Sequence, residues 1–66
     1  MHDPRSRAQV WWELAAEAAE RQATAEARCD ALMAELWASV HAKATAHAEC
    51  YERIAARAAE AAAVRR

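Results

Sequence analysis

Ala23-Thr24-Ala25-Glu26-Ala27-Arg28-Cys29 returns three heptads later as Ala44-Thr45-Ala46-His47-Ala48-Glu49-Cys50, in a chain of 66 residues with no glycine and a single proline, Pro4. A spacing of whole heptads keeps angular phase on a helix, so the repeat marks either one long rod or two copies of a helical unit. Alanine supplies 22 of the 66 residues, so the alanine matches weigh little; the shared threonine and cysteine offsets carry the signal. Around the first copy, Glu20 to Arg28 holds no large apolar side chain, and Asp30 is placed to cap a helix restarting before Leu32 and Met33. A second candidate turn lies at Ser39 to Lys43, with Ser39 as the cap.

The choice between these sites decides what meets what. A fold near residues 39 to 41 sets Cys29 opposite Cys50 and Met33 opposite His47, and gathers the basic ends. A fold near Thr24 sets Trp11 and Trp12 against Trp37 and leaves a C-terminal overhang. A rod would run about 90 Å at 1.5 Å per residue and depend wholly on partners, so the hairpin is the preferred reading.

Composition agrees with an all-helical chain forming one domain over residues 1–66. Large apolar side chains are few, phenylalanine is absent, and period-two alternation occurs nowhere. Asp3-Pro4 is a helix start: an acidic N-cap, then proline where its missing N–H costs nothing. Two stripes follow. One runs through Trp11, Leu14, Ala18, Gln22, Ala25, Cys29, Leu32 and Leu36. The other pairs the line Met33, Val40, His47, Ile54 and Ala61 with the line Trp37, Ala44, Tyr51 and Ala58. They meet with a one-residue slip near Leu36-Trp37. A chain this short gains roughly 3 to 5 kcal/mol from its own core, so the expected state is a homodimer or higher oligomer, as an antiparallel coiled coil or four-helix bundle.

Net charge is -1, so no global field draws nucleic acid or anionic lipid. No apolar run approaches the roughly 18 residues of a membrane span, and the first residues lack the apolar stretch of a secretion signal. The expected compartment is the cytoplasm, where Cys29 and Cys50 remain thiols.

The residues expected to carry interaction are Trp11, Trp12, Leu14, Leu36, Trp37, Val40, Tyr51 and Ile54, because aromatic anchors dominate interface energetics. Trp11 and Trp12 project about 100° apart, which suits either a docking anchor or the wide apolar arc of a helix with two neighbours. Terminal arginines Arg5, Arg7, Arg53, Arg57, Arg65 and Arg66 give an alternative, a dimeric nucleic-acid-binding regulator; the plainer role for Arg65 and Arg66 is to complement a helix C-terminus. Cys29, His47 and Cys50 have zinc-ligand chemistry, with the ordinary reading of cysteine as a small hydrophobe and histidine as a seam filler beside it. A Cys29–Cys50 disulfide would staple a hairpin folded near residue 40. No nucleophile has an acid or base at a catalytic spacing, and no cofactor motif is present, so catalysis is not expected. The leading expectation is a small self-associating helical protein that docks on a protein partner and modulates a larger machine.

Overall fold

The structure, a computed structural model, describes residues 3–65, and it is a helical hairpin: α1 spans Pro4–Ala27 and α2 spans Ala31–Val64. Helix α1 opens with Asp3 in extended conformation, its carboxylate accepting from the Arg5 N–H at 3.1 Å, with Pro4 at the first helical position.

The turn is Arg28-Cys29-Asp30. Cys29 adopts φ 57, the left-handed region that glycine usually fills after a helix. The Cys29 N–H donates to the Glu26 carbonyl at 3.0 Å and the Asp30 N–H to the Ala25 carbonyl at 2.9 Å, the paired bonds of a Schellman ending. Asp30 then serves the next helix as well, its carboxylate accepting from the Met33 N–H at 3.2 Å. One residue thus closes α1 and opens α2, which lets the chain reverse without glycine. The Ser39 to Lys43 stretch lies inside α2, so neither the Ser39 cap nor the turn there exists, and the continuous rod is likewise replaced by the hairpin.

The helices meet along one heptad seam. Its α1 members are Pro4, Ala8, Trp11, Ala15, Ala18, Gln22 and Ala25, and its α2 members are Ala34, Trp37, His41, Ala44, Ala48, Tyr51 and Ala55; all are buried or half-buried. Among the described residues the buried side chains are all alanines, at 8, 15, 18, 25, 44 and 48, with Ala18 and Ala48 at 0% exposure. Small side chains here let two helix backbones run close together, since interaxial distance follows the side chains at the contact. Trp11, Ala18, Gln22, Ala25, Trp37, Ala44 and Tyr51 of the expected stripes belong to this seam, whereas Met33 and Ile54 stay exposed beside it. The one-residue slip near Leu36-Trp37 therefore separates two faces of α2: Trp37 points into the hairpin and Leu36 away from it.

Cross-helix pairs fix the register. Trp11 stacks on His47, Arg7 meets Tyr51, and Arg21 lies over Trp37. Each pair is equidistant from the turn, so Pro4 comes level with residues 54–55 and the last nine residues of α2, from Ala56 to Val64, extend past the start of α1. This overhang is about 14 Å long, in a molecule of 56 × 16 × 15 Å. Trp11 thus meets His47, and Trp37 meets Arg21, in place of the expected cluster of tryptophans.

Candidate interaction surface

The seam divides the hairpin into two long sides of different chemistry. On one side α1 presents Arg7, Val10, Leu14, Glu17 and Arg21. Beside them α2 presents two heptad lines, Met33–Val40–His47–Ile54–Ala61 and Leu36–Lys43–Cys50–Arg57–Val64. Val10 is 62% exposed, Leu36 51%, Ile54 45% and Val64 86%, so the aliphatic side chains that a core of this size would ordinarily bury lie outside it. Several large aliphatic side chains exposed on one side of so small a hairpin, with Lys43, His47 and Arg57 between them, are the informative kind of exposure. Charge on this side is basic: Arg7, Arg21, Arg28, Lys43 and Arg57 against Asp3 and Glu17.

The other side is acidic and small, with Glu26, Asp30, Glu35, Glu49 and Glu52 against Arg5. Ala16, Ala19, Ala23, Ala38, Ala42, Ala56 and Ala59 fill most of its remaining positions. Trp12 is its one large side chain, 37% exposed, and it walls an open cleft of about 410 Å³ with Arg5, Glu52, Ala56 and Ala59. The half-buried Thr45 falls on this side, and its hydroxyl has no hydrogen-bond partner. Thr24, by contrast, back-bonds to the Glu20 carbonyl at 3.1 Å, so the two repeat threonines are not equivalent.

Polar contacts on the basic side are specific. Arg7 donates from Nη1 to the Tyr51 hydroxyl at 3.2 Å, with its guanidinium 5.7 Å from the ring centroid. Arg21 bridges two elements: it pairs with Glu17 at 3.0 Å and lies 5.2 Å from the Trp37 ring. Both partners of that ion pair are more than half exposed, so it contributes a few tenths of a kcal/mol at most. The Trp11 and His47 rings stack at 4.5 Å with 27° between planes. Trp11 and Trp37 are thereby engaged within the hairpin, whereas Trp12 is 37% exposed on the other side.

Three expected groupings are not assembled. Cys29 sits at the turn and Cys50 about 31 Å along α2, far beyond the Cα spacing a disulfide spans, and both are exposed thiols. The same geometry separates Cys29 from His47 by about 27 Å, and among the described residues no cluster of three or more His, Cys, Asp or Glu could hold a metal. The terminal arginines also disperse. Arg5 lies on the acidic side, Arg7 is engaged with Tyr51, Arg53 faces the back of α2, and Arg65 ends the overhang about 17 Å beyond Pro4's level. Arg66 lies outside the described residues. A hairpin folded near residue 40 would have gathered these ends; one folded at Cys29 does not.

The buried alanines at 8, 15 and 48, which lie outside the two stripes read from the sequence, had no distinguishing signal. Every heptad position of this chain holds alanines.

Set against known protein families, curated proteins and solved structures, the chain matches none. Among the described residues, no helix is long and apolar enough to cross a membrane.

Proposed function

We propose that the protein is a small, non-catalytic, self-associating interaction protein of the cytoplasm, a hairpin that pairs with itself and docks on a protein partner to modulate a larger assembly. One observation carries the reading: the buried residues are alanines while Val10, Leu36, Ile54 and Val64 are exposed. Each buried methyl group contributes about 0.8 kcal/mol, while ordering each residue costs more than 1 kcal/mol. A hairpin with this interior needs its outer aliphatic side chains covered. Exposed thiols at Cys29 and Cys50 suit a reducing compartment, where they stay unpaired.

Docking is assigned to the acidic side, where Trp12 stands free in its cleft. Tryptophan combines a large apolar area with an N–H donor and is enriched among the residues that dominate binding energy. A photo-cross-linking residue at position 12, compared with one at the outward-facing Glu20, tests this in the protein's own cells. The reading expects an adduct to one discrete other protein from position 12 and none from position 20. Adducts only to a second copy, or equal labelling from both positions, would remove the docking half of the proposal.

A further inference from the structure

We infer that self-association is an isologous pairing of α2 with α2 of a second copy, the two helices antiparallel across a two-fold axis at His47, each C-terminal overhang lying against the other copy's turn. This rests on the self-association half of the reading above and adds a face, a register and a symmetry to it.

The outer stripe of α2 runs unbroken from Met33 to Val64, past the point where α1 begins. Helix α1 covers only part of it: Trp11 stacks on one face of His47 and Val40 is half-buried, while Leu36, Ile54 and Val64 stay exposed. The stripe is also self-complementary. Read from either end, the line Met33–Val40–His47–Ile54–Ala61 is centred on His47, so antiparallel pairing sets Val40 against Ile54 and Met33 against Ala61. The first is a β-branched pair; the second matches a long side chain with a small one, as interdigitating layers require.

Helix length selects the same centre independently. The midpoint of Ala31–Val64 falls between residues 47 and 48. With His47 on the axis the two α2 helices overlap completely, and Val64 of each copy reaches the turn of the other. An open cleft of about 460 Å³ lies beside that turn on the same basic side, lined by Arg21, Met33 and Trp37 among others, where Ala61 and Val64 of the second copy would enter.

A half-heptad shift is the competing register, pairing Met33 with Ile54. It brings Lys43 face to face with Lys43 of the second copy and leaves the end of each overhang uncovered. In the His47-centred register Lys43 comes level with Cys50, and Arg57 with Leu36, so no two cations of the paired stripes meet and the arginine stem covers a leucine; only at the ends does Arg65 come level with the other copy's turn beside Arg28.

The area suffices. From Met33 to Ala61 the stripe is about 42 Å long, on a face 16 Å wide, a projected footprint of about 670 Å². Side-chain relief raises the accessible area above the footprint, towards the ~800 Å² per partner of a stable interface. That is roughly 15% of the 5268 Å² that the hairpin exposes.

The register is tested by disulfide trapping in full-length protein carrying Cys29→Ser and Cys50→Ser. His47→Cys in that background should oxidise to a covalent dimer, since only residues at the axis bring their own copies within the Cα spacing a disulfide needs. Val40→Cys alone should cross-link at least tenfold less, because the two copies lie about 21 Å apart. Mixing Val40→Cys with Ile54→Cys chains should give the mixed dimer, and that pair stays informative if replacing His47 disturbs the Trp11 stack. Preferential trapping through Lys43→Cys, or equal trapping at every site, in a protein whose mass is dimeric would overturn this register and leave self-association standing. A 7.3 kDa monomer that traps at no site would overturn both.

Discussion

The two faces of α2 invert the usual division of labour in a helical pair. Facing α1 are Ala34, Ala44, Ala48 and Ala55, interrupted by Trp37, His41 and Tyr51; on the outer side are the exposed Met33, Leu36 and Ile54, with the half-buried Val40 among them. The inner face fixes how close the helices come, and the outer face holds the apolar area that can drive folding. An alanine seam specifies geometry at little gain in burial. The aliphatic stripe offers burial but leaves the occupant to be supplied. The hairpin is thus shaped by one face and, in our account, stabilised through the other.

This contrast breaks most directly from the inside. Ala18→Leu, at a position with 0% exposure, should cost about 3 kcal/mol, because a close-packed seam cannot accept three extra carbons without separating the helices. Urea unfolding followed by helicity would measure it; a change under 0.5 kcal/mol would show that the seam is loose.

From the outside, Ile54→Glu, which sets a carboxylate against Val40 of the second copy, should leave helicity at low temperature largely intact while weakening self-association by about 100-fold, or 2.7 kcal/mol. Sedimentation equilibrium reads this, and undiminished association would show that the aliphatic stripe is not the interface.

Smaller effects sharpen the account of the turn that separates the two faces. Asp30→Ala removes the carboxylate that accepts from the Met33 N–H and should cost about 1 kcal/mol. Cys29→Gly relieves a non-glycine residue held at φ 57 and should raise stability by about 0.5 to 1 kcal/mol, seen as a higher denaturation midpoint. A destabilised glycine variant would mean that the thiol, and not the backbone conformation, sets this position.

Legibility in the sequence followed the same division. Helix content and the hairpin were readable, because alanine abundance, the missing strand residues and Asp3-Pro4 all point one way. The turn was harder. Asp30 signalled a restart before Met33, but the left-handed ending falls on Cys29, a residue with no turn signature, and Ser39 offered an equally plausible cap. The seam was hardest, since large side chains are the usual markers of a buried face. Here Met33, Val40 and Ile54 drew the reading towards the outer face, while the buried residues Ala8, Ala15 and Ala48 look like every other alanine in the chain. The line Trp37–Ala44–Tyr51 on α2 and Trp11, Ala18, Gln22 and Ala25 on α1 were the legible part of the true seam. The Cys29–Cys50 juxtaposition and the gathering of the basic ends both belonged to the alternative fold near residue 40, and with the turn at Arg28 to Asp30 neither forms within the hairpin.

The most direct test of the central claim is the concentration dependence of thermal unfolding, measured together with solution mass. If the outer stripe supplies the burial that the alanine seam lacks, the protein sediments at twice 7.3 kDa or more, and its melting temperature rises with protein concentration. A 7.3 kDa monomer that unfolds cooperatively at a melting temperature independent of concentration would contradict it, because the alanine interior would then suffice alone.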